Sequence, residues 1–292
     1  MTYIHNPYGQ LRGGTWVKGN LHAHSTRSDG SRTQQNVLDV YADLGYDFLS
    51  LSDHDLLTVA EDYESLRSHG LILIPGNEIS ANGPHLLHVG ARSLVAPSPD
   101  RQTVLNDIDR SGGFAVVNHP NWHADYNHCS YGKLVQWTGY VGIEIYNGVI
   151  NRLEGSPYAT DKWDRILSTG RRIWGFANDD SHAANGDDAL GWNVAYVTER
   201  TPEAVLDALH DGRFYASTGV VIDNIQVDGD RIRVSTRNAG RLSAFMRNGV
   251  RLKYADASDL EVLVPPQAGY IRFECWGAGE TSAWTQPFFV LP

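Results

Sequence analysis

The sequence predicts an α/β domain, layered or barrel-shaped, followed by a smaller all-β domain. Between residue 16 and about residue 210, short apolar runs alternate with amphipathic stretches. Three of these stretches end on Gly45, Gly70 and Gly170, which is where helix C-caps are expected. Regular alternation of strand and helix is typical of parallel βαβ units. We therefore expect parallel strands whose carboxyl ends open on one face.

The first domain is predicted to contain seven strands and five helices. The strands cover residues 16–21, 47–51, 71–75, 85–91, 114–117, 141–145 and 173–177. The helices cover residues 33–45, 58–70, 100–112, 157–170 and 202–211.

The pattern changes after Val220, where short alternating strands follow one another at about 10-residue intervals. Turn signals such as Asp228-Gly229, Asn248-Gly249 and Pro265-Pro266 separate them. This spacing predicts a small β-sandwich. We place the domains at residues 1–217 and 218–292 and expect the second to be structural or to shape the substrate site, because its ionisable residues show no metal-ligand spacing.

Composition excludes several classes of protein. The chain has no run of about 18 apolar residues and no signal-like N-terminal segment, so we expect a cytoplasmic protein that does not span a membrane. Two cysteines, Cys129 and Cys275, make neither a disulfide framework nor a cysteine zinc site.

The formal net charge of −10 argues against binding of a nucleic-acid duplex through a broad basic face. Bound divalent cations would nevertheless make an active site locally positive. We therefore expect a small anionic molecule as the partner. The sequence does not indicate an oligomeric state.

Five of the predicted strands are followed at once by histidines or carboxylates. In an α/β barrel the carboxyl ends of the strands form the active-site rim, so these side chains should converge. His22 and His24 should also lie on the same side of their strand, because side chains alternate with period two. The convergent residues are His22, His24, Asp29, Asp53, His54, Asp55, Glu78, His119, Asp180 and His182.

Each of these residues alone has an ordinary structural explanation. A histidine after a strand is usually a surface residue, Asp29-Gly30 is a common turn, and Asp53 or Asp55 could cap a helix. The recurrence of such residues at five strand ends favours a metal site instead. Nitrogen and oxygen ligands of this kind suit zinc, manganese or iron.

The series NLHAHSTRSDG, LSDHD, GNEIS, NHP and DDSH, in this order, resembles the motifs of the PHP (polymerase and histidinol phosphatase) family of metal-dependent phosphoesterases. The resemblance covers residues 16–217, and GRFYASTG with the β-rich tail resembles a subgroup that carries a C-terminal β domain. The resemblance implies a distorted seven-stranded (β/α) barrel and a centre of two or three divalent metal ions.

The resemblance also implies which residues bind each metal. The first ion would take His22, His24, Glu78 and Asp180. The second would share Glu78 and add His119 and one histidine of the segment PHLLHVGA. The third would take Asp29, His54 and His182. Asp29 departs from the pattern, because several family members have a histidine there.

His85 and His88 compete for the second metal, since on a strand they point to opposite faces. His88 lies among Leu86, Leu87 and Val89, where a buried hydrogen-bonded imidazole is expected. We therefore predict His85 as the ligand.

Closely spaced cations lower the pKa of a bridging water, so the resulting hydroxide attacks without a protein nucleophile. Asp53 and Asp55 are predicted to orient His54. Two further candidates for the catalytic machinery are Asn147 and His123, and two candidates for substrate contacts are Arg27 and His128. Arg32, Arg92 and Arg152 also lie near the rim segments.

The resemblance favours a phosphomonoester or phosphodiester as substrate. One alternative is hydrolysis of a carbamate, amide or ester bond by the same centre. Another is a metal-containing module that binds carbohydrate or another ligand, given eight tryptophans and fourteen tyrosines. These aromatic residues are spread through both domains, which is more typical of core packing. We therefore predict an enzyme.

Overall fold

The computed structural model of the chain describes residues 3–9, 11–183 and 186–291. Its helices are α1 (Gln34–Asp43), α2 (Ala60–Tyr63), α3 (Arg101–Ser111), α4 (Tyr131–Gln136), α5 (Thr160–Leu167) and α6 (Pro202–His210), with short 3₁₀ turns at Val149–Arg152 and Arg247–Gly249. Among the described residues, no helix has the length and apolar composition that a membrane crossing requires.

The strands up to residue 217 are β1 (Tyr3–His5), β2 (Thr15–Asn20), β3 (Phe48–Leu49), β4 (Ile72–Leu73), β5 (Gly76–Ile79), β6 (Leu86–Val89), β7 (Phe114–Val117), β8 (Tyr140–Asn147), β9 (Trp174–Asn178), β10 (Trp192–Val197) and β11 (Phe214–Ser217). The later strands are β12 (Ile222–Asp228), β13 (Arg231–Thr236), β14 (Ala239–Met246), β15 (Val250–Ala255), β16 (Asp259–Leu263), β17 (Tyr270–Gly277), β18 (Ser282–Thr285) and β19 (Phe288–Leu291).

The seven predicted strands all form, and together with β5, which was not predicted, they lie in two hydrogen-bonded sheets. One contains β2, β3 and β4 in parallel, and the other runs in the order β5-β6-β7-β8-β9. The expectation of parallel pairing throughout is wrong for β6, which pairs antiparallel with both β5 and β7 because a tight turn at 81–84 links β5 to β6. A single continuous seven-stranded barrel is therefore not seen in the described part of the chain.

Isolated bridges join the two sheets at the point where the candidate ligands leave their strands. Ala23 bridges to Ser181, and His54 bridges to Glu78, in both cases in parallel orientation. Backbone pairing at these residues brings the ends of β2 and β9, and of β3 and β5, together. This is the feature of the fold that positions the site.

Capping residues at the helix ends and one apolar face explain where the helices form. Thr33 caps α1 by accepting a hydrogen bond from the amide of Asn36, and Asp100 caps α3 through the amide of Gln102. α1 buries Val37, Leu38 and Tyr41. The predicted helix over 58–70 is reduced to the four residues of α2.

The C-terminal strands form the predicted sandwich. The sheet β12-β13-β16 packs against β14 and β17, and Ile232, Val234, Leu260, Leu242 and Phe273 fill the space between them. The sequence analysis did not predict β10, which pairs antiparallel with β2 and also with β11. Since β11 pairs in turn with β18, one sheet is continuous across the predicted boundary at residue 217.

Buried polar contacts also connect the two parts of the chain. Asp164 on α5 accepts hydrogen bonds from the Arg272 Nε (2.7 Å) and Nη2 (2.6 Å) atoms and from the Tyr270 hydroxyl (2.6 Å). The Gln286 side chain bonds both backbone groups of Gly175 at 2.8 Å. The C-terminal strands are therefore an integral part of the packed structure.

Replacement of Asp164 by alanine should lower the free energy of unfolding by about 3 kcal/mol, because the buried Arg272 guanidinium loses its bidentate partner. Chemical denaturation measures the change. The control is Glu261→Ala, which removes an exposed partner of Arg231 and should have little effect. Equal small effects of both substitutions would contradict the importance of this interface.

Candidate metal centre

The nine residues that the sequence assigns to metals lie close together, and all of them except His22 and His24 line one cavity. Side-chain nitrogen and oxygen atoms of these residues, together with His128, form several overlapping groups, in each of which all atoms are within 4.8 Å of one another. The nine residues lie at or after the ends of strands, and the order of the strands brings these ends together. The groups share Glu78, His22, His24 and His54, so the site is one connected cluster and not several separate ones.

The first group is centred on Asp180, which has a positive φ of 57°. Its Oδ1 atom lies 3.0 Å from His22 Nε2 and 3.1 Å from His24 Nε2. Glu78 Oε1 is 3.3 Å from the same His22 nitrogen. All four side chains are buried, so these lone pairs face one small volume away from solvent.

The second group shares the Glu78 Oε1 atom with the first. Glu78 Oε1 is 3.1 Å from His85 Nδ1 and 3.3 Å from His119 Nε2. The Asn118 side-chain amide donates to this oxygen at 2.6 Å, while its own carbonyl oxygen accepts from the Leu87 amide. Asn118 therefore fixes the rotation of the Glu78 carboxylate.

The third group is closest to solvent. Asp29, whose side chain is 55% exposed, lies 3.4 Å from His182 Nε2 and 3.5 Å from His54 Nε2. His24 Nδ1 is 3.7 Å from the same carboxylate. His54 Nδ1 faces Glu78 Oε2 at 2.9 Å, so His54 stands between the second and third groups.

The residues fit divalent ions because ligand atoms of this cluster are buried without hydrogen-bond geometry to any described group. They approach one another at about 3 Å, yet their angles do not suit hydrogen bonds. A buried polar atom without a partner costs free energy, so an ion that accepts several lone pairs explains the arrangement. The atoms are His22 Nε2, His24 Nε2, His54 Nδ1, Glu78 Oε2 and Asp180 Oδ1.

The charges of the cluster interact strongly. Burial raises the pKa of Glu78, but His22 and His85 outweigh it, so the pKa lies well below its usual range. Burial lowers the pKa of His54, whereas Asp29 and Glu78 raise it to about 10. His54 thus holds a proton between these two carboxylates, and an ion binding at its nitrogens must displace that proton.

Glu144 is a functional residue that the sequence analysis missed. Its Oε1 atom accepts from His22 Nδ1 at 2.8 Å and from the Asn178 amide at 2.9 Å. Its Oε2 atom accepts from the His119 backbone amide and the Asn147 side chain, both at 2.8 Å. The available signal was a charged residue in the middle of the apolar run 141–145, because a buried carboxylate needs partners.

Asn147, a candidate for the catalytic machinery, lies beside the cluster and holds other side chains. Its amide donates to Glu144 Oε2 and, at 3.2 Å, to Asp180 Oδ2. Asn147 is 1% exposed, so it positions a candidate ligand and does not border open solvent.

Asp53 and Asp55 hold backbone segments. Asp53 accepts from the Ser25 amide and hydroxyl, both at 2.7 Å, and from the Ser28 hydroxyl, which fixes the loop that presents Asp29. Asp55 accepts from the amides of Ser80 and Ala81 after Glu78. Neither carboxylate bonds the His54 ring among the described residues, which corrects the prediction that they orient it.

His123 and His128 form a chain that starts at His85. His128 Nε2 accepts from the His85 backbone amide at 3.0 Å, and His128 Nδ1 is 3.2 Å from His123 Nε2. Burial and the neighbouring histidines lower the pKa of His128 to about 2, so its ring is neutral. His123 stacks on Trp122 with a centroid distance of 4.3 Å. Neither residue borders the cavity in the described structure.

Arg27 and His88 also lie outside the cavity. Arg27 points towards α2, with Nη1 3.1 Å from Thr58 Oγ1, which corrects its predicted position at the substrate. His88 Nε2 bonds the carbonyl oxygen of Gly112 at 2.7 Å on the opposite face of the sheet from Glu78. The structure thus places His85 in the cluster and His88 in the core.

The cavity has a volume of about 260 Å³. Its floor consists of candidate ligands, and its other wall combines apolar side chains with one arginine. That wall is made of Trp122, Val149, Ile150, Arg152 and Leu153. The site can therefore accept a small molecule against the metal ligands.

No protein-family model matches the sequence, and a search of curated proteins finds no match. Solved structures do match. A two-domain protein from Bacteroides vulgatus, described as containing a predicted PHP-like metal-dependent phosphoesterase, is 18% identical with a TM-score of 0.57. The match covers 96% of this chain and 88% of that one.

An amidohydrolase from Chromobacterium violaceum, with bound sulfate and no metal, is 17% identical with a TM-score of 0.43 over 58% of this chain and 89% of that one. The match to the Bacteroides protein shows that the two chains share a fold. The resemblance inferred from the motifs is thus confirmed at the level of the fold.

Substitution of Glu144 by glutamine should lower metal affinity by about 10- to 100-fold, the usual effect of losing the group that orients a ligating histidine. All four partners of this carboxylate are donors, so the glutamine amide group would face a donor in either orientation. Competition with a metal-binding dye measures the affinity. The control is Glu199→Gln at an exposed position. Unchanged affinity in Glu144→Gln would exclude this role.

His85→Ala should lose about one equivalent of metal, whereas His88→Ala should keep its metal and melt at a lower temperature, because it leaves the Gly112 carbonyl group unpaired. Elemental analysis and thermal unfolding of both variants distinguish the two roles. Selective loss of metal in His88→Ala, with full content in His85→Ala, would reverse the assignment.

Proposed function

We propose that the chain is a metal-dependent hydrolase that acts on a small phosphomonoester or phosphodiester. The observation that carries this proposal is the set of five buried ligand atoms that lack hydrogen-bond geometry and belong to one cluster, three of whose residues, His54, Glu78 and Asp180, line the cavity. A cluster built only for stability would pair these atoms with donors, because unsatisfied buried groups are destabilising. Ions and a substrate are the partners that such a cavity can receive.

Three ion positions account for the ligand groups. The first uses His22, His24 and Asp180 together with Glu78, and the second uses Glu78 with His85 and His119. The third uses Asp29, His54 and His182. We propose zinc, manganese or iron, because mixed imidazole and carboxylate ligands suit these ions.

When bound, two or three divalent ions supply an activated water and neutralise charge on the phosphoryl oxygens. The protein contributes orientation. Glu144 holds His22 at Nδ1 so that Nε2 points at Asp180 and Glu78, and Asn118 holds the Glu78 carboxylate. Asn147 restrains Asp180. Fixed ligands reduce the reorganisation that the reaction would otherwise require.

The charge balance favours a phosphoester over a neutral carbamate or amide. With three divalent ions, the positive charge exceeds that of Asp29, Glu78, Asp180 and Glu144 combined. Arg152 places a guanidinium group on the opposite wall, although its charge is balanced by Asp187. An anionic phosphoryl group compensates these charges, whereas a neutral carbonyl substrate does not.

The reconstituted protein should hydrolyse 4-nitrophenyl phosphate or bis(4-nitrophenyl) phosphate, and a chelator should abolish the activity. Asp180→Asn should reduce turnover by at least about 100-fold, the scale on which one electrostatic contribution to the transition state acts. Release of 4-nitrophenol after loading with zinc, manganese or iron measures both effects.

The matched control is Asp39→Asn, which changes an aspartate paired with His69 on the protein surface and should retain full turnover. Parallel assays with 4-nitrophenyl acetate and a 4-nitrophenyl carbamate test the alternative chemistry. Hydrolysis of these two compounds without hydrolysis of either phosphate ester would refute the phosphoesterase proposal.

A further inference from the structure

Arg152 differs from the other residues of the cavity wall in how its guanidinium group is held. Its Nε and Nη2 atoms donate to the two carboxylate oxygens of Asp187, each at 2.8 Å. Asp187 is buried and also accepts from the backbone amides of His182 and Ala183. One edge of the guanidinium group is therefore fixed by an aspartate that is itself fixed.

The other edge of the guanidinium group remains available. Nη1 has no hydrogen-bond partner among the described residues, and the side chain is 50% exposed at the cavity. A planar guanidinium group presents donors on two edges, so one edge can bind a protein carboxylate while the other binds an oxyanion. Holding the first edge lowers the entropy lost when the second one binds.

The other rim arginines are placed differently. Arg27 bonds Thr58 and lies near Asp62, and Arg32 makes a bidentate pair with Asp188. Arg92 borders a separate cavity beside α6. Within the described structure, Arg152 is the one arginine or lysine that lines the cavity of the metal ligands.

We propose that Arg152 is the anion-binding residue of this cavity, that its free edge binds a phosphoryl oxygen, and that Asp187 positions it. This inference rests on the proposed function and names the residue that distinguishes a phosphoester from a neutral ester. The neighbouring Val149, Ile150 and Leu153 are apolar and offer no competing acceptor. They suit the carbon portion of the substrate.

Asp187 links the anion site to the third ligand group, because it also bonds the backbone amide of His182. Removal of the Arg152 guanidinium group leaves the bond between Asp187 and the His182 amide in place. Loss of the Asp187 carboxylate weakens both this bond and the pair with Arg152. Substitutions of Arg152 and Asp187 are therefore expected to have different effects on the bound metal. Arg152→Met should keep the full metal content, and Asp187→Asn should lose part of it.

The test compares the metal-loaded wild type with Arg152→Met. Inorganic phosphate is titrated into each protein by calorimetry, and KM and kcat are measured for 4-nitrophenyl phosphate and for 4-nitrophenyl acetate. Arg152→Met should weaken phosphate binding and raise KM for the phosphate ester by about 10- to 100-fold, the scale of one charge-assisted hydrogen bond. The kinetics of the acetate ester should change less than about twofold, because it has no phosphoryl oxygen to bind.

Arg152→Lys keeps the charge but not the two-edged fork, so it should recover only part of the phosphate affinity. The control is Arg237→Met, which removes an exposed arginine paired with Asp223 in the C-terminal domain and should bind phosphate as the wild type does. Unchanged phosphate affinity in Arg152→Met would overturn the inference. So would an equal loss for both esters, or a loss of metal, because either result indicates a general structural role.

The inference and the proposed function can fail separately. If the wild type binds phosphate through Arg152 but hydrolyses only the acetate ester, the proposed phosphoesterase activity is wrong and the anion site stands. If the phosphate ester is hydrolysed and Arg152→Met binds phosphate normally, the proposed function stands and the anion site is wrong.

Discussion

The buried carboxylate of Glu78 is the constraint on which the site depends. Its Oε1 atom faces His22, His85 and His119, and its Oε2 atom faces His54. A buried negative charge is costly unless it is compensated, and here the compensating groups come from different strand ends. The backbone bridge between His54 and Glu78 brings two of these ends into register. Glu78 thus belongs both to strand β5 and to the cluster of candidate ligands.

Both uncharged and charged side chains around this cluster hold the candidate ligands in position. Asn118 fixes Glu78, Glu144 fixes His22, and Asn147 fixes Asp180. Asp53 and Asp55 fix the loops that follow the strands. Such supporting contacts keep ligand atoms aimed at the cavity even though several of them repel one another. The C-terminal strands extend the same sheet through β11 and β18, so they support the first domain directly.

The sequence predicted the features that depend on local pattern. Apolar runs located the seven strands that were predicted, and the C-cap glycine Gly45 located the end of α1. The order of the motifs placed His22, Glu78 and Asp180 in one region. The sequence did not predict features that depend on pairing between distant segments. The antiparallel position of β6 and the presence of β10 are set by partner strands, which a single run of residues does not reveal. The roles of Glu144 and Arg152 likewise depend on partners distant in sequence.

Anomalous diffraction from crystals of the metal-loaded protein locates each ion and identifies its element. Two or three peaks are expected within coordination distance of Glu78, His22, His119 and His54, at the absorption edge of zinc, manganese or iron. A single peak remote from Glu78, or none in crystals grown with excess metal, would contradict the view that this cluster is a multinuclear metal centre.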